Sequence, residues 1–234
     1  MNELIEVPDI LITDYDRTLI YLYRDTNLLI ELAQLISEFY NKYFNVPDTL
    51  LEAGKDGYLL WHKLHTFALE KLSIDLAEDI NKQAENIVTN FEFKIAKSMK
   101  LLPRISETIK ELNSMGIKLG IVSSNSASVV QYSMEDAGIL NMFEYIAGRE
   151  CPFDPKLVKP NPFPINKAIE IMKPRRNSIW YVGDDIIDMQ AASSADVIAV
   201  GVCTGNHSEL ELRKNGAKLV FKSFADIPAF LKER

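Results

Sequence analysis

Two aspartates one residue apart, Asp14 and Asp16, close the apolar run Ile10-Leu11-Ile12-Thr13. Side chains at i and i+2 of an extended segment point to the same side, so both carboxylates can face one small pocket. Carboxylates held that close repel each other unless a cation sits between them. The pair alone is equally met at a strand end that runs into an Asx turn, and both readings stay open at this point.

Three further stretches put polar groups where apolar runs end. Gly120-Ile121-Val122 leads to Ser123-Ser124-Asn125-Ser126, where hydroxyls and backbone N–H groups precede a helix and suit a phosphate; plain N-capping by Asn125 or Ser126 explains the same residues. Lys159-Pro160-Asn161-Pro162 sets a lysine in a proline-stiffened loop, which taken alone is a solvated loop lysine. Trp180-Tyr181-Val182 runs into Gly183-Asp184-Asp185-Ile186-Ile187-Asp188. Here the glycine is expected to allow a sharp turn, with carboxylates at the strand end and one helical turn on. Helix capping accounts for Asp184 or Asp185 but hardly for three acids beside an apolar strand.

The elements that must position these groups have two grammars. Between about 25 and 99, apolar residues recur at helical spacing in three segments: Leu28, Leu32, Leu35, Ile36, Phe39 and Tyr43; then Leu60, Leu64, Phe67, Ala68 and Leu72; then Ile80, Ala84, Ile87, Val88, Phe91 and Ile95. These stripes predict helices that pack on each other. From Leu101 helix and strand alternate, as in a parallel α/β sheet. Helices are expected over Pro103–Gly116, Ala127–Ala137, Pro164–Met172, Asp185–Ser193, Glu209–Lys214 and Phe224–Leu231, and strands over Lys118–Ser123, Tyr145–Ala147, Ile179–Val182, Val197–Val200 and Leu219–Phe221. The fold class is therefore α/β, a Rossmann-like parallel sheet from residues 1–24 and 100–234 interrupted by an all-α insertion over 25–99.

The 234 residues are 47% hydrophobic, enough for a sizeable core, and the excess of 33 acidic over 26 basic residues gives a net charge of -7. No global field favours nucleic acid or an anionic membrane, so an anionic substrate has to be captured locally. Cys151 and Cys203 are too few for a disulfide framework and are expected to be packed. The start of the chain is acidic and leads directly into the first strand, and no apolar run reaches the length of a membrane span. The expectation is a cytoplasmic protein that is a monomer or homodimer, with no nucleic-acid or membrane partner.

In this order, Asp14-Tyr15-Asp16-Arg17-Thr18-Leu19, Ser123, Lys159-Pro160 and Gly183-Asp184-Asp185-Ile186-Ile187-Asp188 resemble the four motifs of the haloacid dehalogenase superfamily. The helical insertion is similar to the α-helical cap of its phosphoglycolate phosphatase-like and β-phosphoglucomutase-like members. The resemblance implies a phosphatase acting on a small phosphorylated metabolite. Asp14 would be the nucleophile and Asp16 the acid and base. Ser123 and Lys159 would hold the transferring phosphoryl group, with Tyr15, Asp16 and Ser124 also on the phosphate. Mg²⁺ would be held by Asp14, the backbone carbonyl of Asp16 and Asp184, with Asp188 or Asp185 in support. An all-oxygen, acid-rich set suits a hard cation on its own terms. The competing idea is zinc on His62 and His65, although His-x-x-His in a helical stretch is more often surface or packing. Arg17 stands where the family commonly has glycine, Tyr21 where a supporting aspartate often follows, and Asp196 where an alanine-glycine pair usually closes the fourth motif. Arg17, Tyr21, Lys55 and Tyr58 are candidates for substrate specificity. A sugar-phosphate phosphomutase, or a binding protein on the same scaffold, is the alternative function.

Overall fold

The computed structural model describes residues 6–23, 25–51, 56–149, 153–175 and 178–234. From strand β1 (Ile10–Thr13) the chain passes through helices α1 (Thr26–Tyr40), α2 (Asp48–Leu51), α3 (Gly57–Lys71) and α4 (Ile74–Ala96). It then alternates through α5 (Ile105–Ser114), β2 (Lys118–Ser126), α6 (Ala127–Asp136), β3 (Phe143–Arg149), α7 (Phe163–Met172), β4 (Ile179–Gly183), α8 (Ile186–Ser194), β5 (Ile198–Val202), α9 (Glu209–Lys214), β6 (Leu219–Phe221) and α10 (Ile227–Lys232).

The described strands form one six-stranded sheet in the order β3-β2-β1-β4-β5-β6, parallel at every pairing. β1 and β4 lie at its centre and every residue of both is buried, which is why these strands read as apolar runs rather than as alternating ones. Ile10, Ile12, Tyr181, Met189 and Ala199 share a core with Ile165, Ala168 and Met172 of α7. Successive strands step outward from β1 on one side and from β4 on the other. Between them is the reversal of strand order at whose carboxyl edge open α/β sheets bind ligands.

Most elements fall within two residues of the expected ranges. Two depart further. β2 runs three residues beyond Ser123, to Ser126, because its last part pairs with β3 across a break in register. The expected final helix is split: Ser223 caps a 3₁₀ turn at Phe224–Asp226, and α10 starts afresh at Ile227 with Pro228 in its first turn, where a missing N–H costs nothing. Cys203 is exposed rather than packed, and Cys151 lies outside the described residues.

By compactness the chain divides into two units. Met1–Tyr21, Met99–Arg149 and Lys156–Arg234 form the sheet-bearing unit; Leu22–Ser98 and Glu150–Pro155 form a helical one. In the helical unit the expected stripes are core: Leu32 and Ile36, Leu60 and Leu64, Ile80, Ala84 and Val88 are all fully buried. Leu35 is exposed, and Tyr43, also exposed, lies beyond the end of α1, so the stripe of that helix is narrower and shorter than its periodicity predicts. Gly57 begins α3, and a Cβ there would sit 2.6 Å from Cβ of Leu32, so glycine lets α3 start against α1. Within this unit Phe153 stacks on Trp61 at 4.5 Å between centroids. Among the described residues no helix is long and apolar enough to cross a membrane.

Candidate active site

Asp14 follows the last residue of β1 and is anchored by its own N–H, which donates to the carbonyl of Val182 on β4 at 2.8 Å. Its carboxylate meets Lys159, whose Nζ lies 2.5 Å from Oδ1 of Asp14 and 2.7 Å from Oδ1 of Asp188. Asp184 follows the last residue of β4, and Asp188 stands one helical turn on, in α8. Asp14, Asp184 and Asp188 each offer an oxygen within 4.8 Å of the others, and all three are buried, as is Lys159. Three separate stretches of sequence, around residues 14, 159 and 184–188, thus converge on one cluster at the carboxyl edge of the sheet.

Glycines make the room. Gly183 is an ordinary last strand residue rather than the sharp turn expected; a Cβ there would fall 2.3 Å from Oδ2 of Asp188. A Cβ on Gly205, in the loop after β5, would fall 1.8 Å from Oδ2 of Asp184. Thr18 donates to Oδ1 of Asp184 at 3.3 Å. Asp185 is a helix cap: its side chain accepts from the N–H of Ile187 at 3.0 Å, and Asp188 returns a bond from the N–H of Asp185 at 3.1 Å. It also lies 3.3 Å from Nε2 of His207, and among the described residues it is not one of the clustered carboxylates. The side chain of Asp16, half-buried, is likewise outside that cluster.

Burial without enough positive charge governs the electrostatics. Desolvation pushes Asp14 up to about 7 against the pull of Lys159, and pushes Asp184 up to about 9 with help from Asp188 and Asp14. Burial would lower Lys159, but Asp14 and Asp188 overcome it and hold the ammonium charged well above its ordinary value. One ammonium therefore faces three buried carboxylates. A divalent cation would remove the excess of negative charge, and an all-carboxylate set is the donor chemistry of Mg²⁺, so the residues present fit that ion.

Ser123 reaches the edge by a bulge. Val122 pairs with Ala147 and Ser126 with Arg149, so β2 carries two more residues than β3 over the same span. In the extra loop Ser123 donates to Oδ1 of Asn125 at 3.2 Å and accepts from its N–H at 3.1 Å. Gly148 permits this: a Cβ there would lie 2.4 Å from the backbone N of Ala127 and 2.5 Å from the carbonyl of Asn125. Arg149, buried at the end of β3, donates to the carbonyl of Ser124 at 3.1 Å.

The phenol of Tyr15 is no phosphate ligand. It is fully buried and bonds the hydroxyl of Ser133 on α6 at 2.6 Å, which leaves only the Tyr15 backbone for the site. Tyr21 carries the guanidinium of Arg17, 5.9 Å above its ring centroid. Arg17 and Asp196 have left-handed backbones, φ 58° and 56°, so the two departures from glycine fall where glycine would be least strained. Tyr58 bonds the hydroxyl of Tyr23 at 2.5 Å and the carboxylate of Glu92 inside the helical unit. Lys55 lies outside the described residues. His62 and His65 flank the Phe153 ring at 5.0 and 5.6 Å, and among the described residues they belong to no metal-capable group.

Two contributors escaped the sequence reading. Tyr181, fully buried, donates to the carbonyl of Val122 at 3.0 Å and lies 3.4 Å from Oδ1 of Asp188, while Nζ of Lys159 stands 5.6 Å from its ring centroid. A phenol inside a fully buried central strand, where only Trp180 among its neighbours also carries a polar atom on its side chain, was the available signal. Gly205 left none, because its contact with Asp184 depends on a loop far along the chain.

The sequence model of the haloacid dehalogenase-like hydrolases matches residues 27–202. The chain belongs to that family. The matched span contains Ser123, Lys159, Asp184 and Asp188 of this haloacid dehalogenase-like chain, while Asp14 and Asp16 precede it. A phosphoglycolate phosphatase of Mannheimia succiniciproducens is 25% identical over 92% of this chain and 94% of its own length. Another from Vibrio parahaemolyticus is 29% identical, but the match spans 59% of this chain and 60% of that relative's length. In fold, the chain resembles a hydrolase from Pseudomonas syringae at a TM-score of 0.67, with 18% identity over 96% and 98% of the two chains.

Proposed function

We propose that this chain is a Mg²⁺-dependent phosphatase that hydrolyses a small phosphorylated metabolite through an aspartyl-phosphate on Asp14. The observation that carries the reading is the Asp14 carboxylate at the carboxyl end of the central strand, held by Lys159 amid two more buried acids. An ordinary structural carboxylate has no reason to sit in such excess negative charge. Phosphatase names among relatives support the same reaction class.

Asp14 attacks phosphorus in line; its oxygen gains the P–O bond while the bond to the leaving oxygen breaks, and Asp16 delivers the proton that oxygen needs. Asp16, now ionised, takes a proton from a water that attacks the phosphoaspartate, releasing inorganic phosphate and restoring Asp14. Lys159 and Ser123 offset charge on the phosphoryl oxygens during both transfers, Lys159 leaving its bond to Asp14 as that carboxylate becomes an acyl phosphate. Asp14, Asp184 and Asp188 would hold Mg²⁺, with the backbone carbonyl of Asp16. When bound, the ion supplies Lewis-acid polarisation of the phosphoryl oxygens and keeps the acids ionised. The helical unit is read as the counterpart of the family's α-helical cap.

The purified protein is expected to release phosphate from a generic aryl phosphate with Mg²⁺ and to stop on chelation. Release that persists after chelation would remove the metal from the reading. Conversion of a hexose 1-phosphate to an isomer without free phosphate would replace hydrolysis by phosphomutase chemistry.

A further inference from the structure

Arg17 sits between two residues of the site, next to Asp16 on one side and Thr18, the partner of Asp184, on the other. Three independent observations make it unusual. Its backbone is left-handed, at φ 58°, a conformation that costs any side chain and that glycine would adopt freely. Its Nε is shut off from solvent and makes no hydrogen bond. Among the described residues its guanidinium meets no carboxylate, only the face of Tyr21. The carbonyl of Arg17 is in turn tied down by the hydroxyl of Thr204, so the strained turn is fixed rather than free to relax.

A cation kept in a strained, fixed turn with an unmet donor has a side chain that the fold alone does not need. Tyr21 meets the guanidinium by its ring face, which leaves the terminal N–H groups for a fork of hydrogen bonds. Such edges suit a planar carboxylate or a phosphate.

We infer that Arg17 selects substrates that carry a second anionic group a few bonds from the scissile phosphoryl group. This rests on the phosphatase reading and narrows its substrate class: a neutral alkyl or aryl phosphate lacks the group that Arg17 holds. Reading Arg17 as a positional accident of the motif would leave the strain and the bare Nε unexplained.

The test compares three phosphates in the presence of Mg²⁺: phosphoglycolate, which carries a carboxylate, pyrophosphate, which carries a second phosphate, and ethyl phosphate, of similar length with neither. The wild type is expected to favour at least one of the charged pair over ethyl phosphate by about tenfold or more in kcat/KM. Arg17→Gly should collapse that ratio, mainly through KM, and Arg17→Lys should restore part of it. Which charged substrate responds tells carboxylate from phosphate. Arg17→Gly should also melt no lower than wild type, since glycine relieves the backbone, and this separates a binding role from a structural one. A wild type that treats all three alike, or an Arg17→Gly protein that keeps the ratio, overturns the inference while leaving the phosphatase intact. If the wild type releases phosphate neither from any of the three nor from an aryl phosphate, the phosphatase reading fails and the inference falls with it.

Discussion

Asp14 and Asp184 hold their protons far more firmly in the fold than in the unfolded chain, near 7 and 9 against 3.8, because burial penalises their charged forms. Between those values the folded state binds more protons than the unfolded one, so the slope of stability with pH is negative. The contribution of these two groups is most favourable below about pH 4 and is lost as pH rises through 7 and then 9. Mg²⁺ competes with the same protons and supplies the missing positive charge. Thermal melting should therefore show a larger Mg²⁺-induced rise in Tm at about pH 8 than at about pH 5, and Asp184→Asn should reduce the rise. An equal or larger rise at the acidic pH would contradict this account of the cluster. The acids themselves were legible because Asp14 and Asp184 each follow an apolar strand and Asp188 stands one helical turn beyond. Which of Asp184, Asp185 and Asp188 does what was not, since capping and clustering use the same residue type; the bond that the Ile187 N–H donates to Asp185 marks the cap, and the clustered oxygens mark the other two.

Among the elements, β2 matters most to the site because its end is not regular. Two extra residues swing Ser123 out of register, and Gly148 on β3 leaves the space into which that loop fits. Backbone atoms, which cannot turn aside as a side chain can, crowd the place of a Cβ at Gly148. Gly148→Ala is expected to cost about 1–3 kcal/mol, as overpacking does, lowering Tm by several degrees. It should also lower kcat/KM by displacing Ser123, whereas an exposed change such as Glu170→Ala should do neither. Wild-type melting and kinetics in Gly148→Ala would mean that the bulge has slack. The strand was readable from Leu119-Gly120-Ile121-Val122, but the bulge was not, because cross-strand register depends on a partner more than 20 residues away. The 3₁₀ break before α10 has a local cause that the expected helix over Phe224–Leu231 did not include: Ser223 and Asp226 cap each other.

For the whole molecule, strand order rather than any single motif brings residues 14, 123, 159, 184 and 188 to one edge. β1 lies between β2 and β4, so the first strand of the chain is flanked by both partners that its chemistry needs. Alternation of helix and strand after residue 100 announced the parallel sheet, and helical stripes before it announced a separate helical unit. That Glu150–Pro155 groups with the helices was illegible, because Phe153 finds Trp61 across some 90 residues of sequence. The central claim is that the phosphoryl group passes through Asp14. Mass analysis of the protein, acid-quenched during turnover of an aryl phosphate with Mg²⁺, tests it directly. A phosphoryl adduct on the peptide containing Asp14, together with loss of both adduct and turnover in Asp14→Asn, is the predicted result. Turnover that survives Asp14→Asn, or an adduct on any other residue, would contradict it.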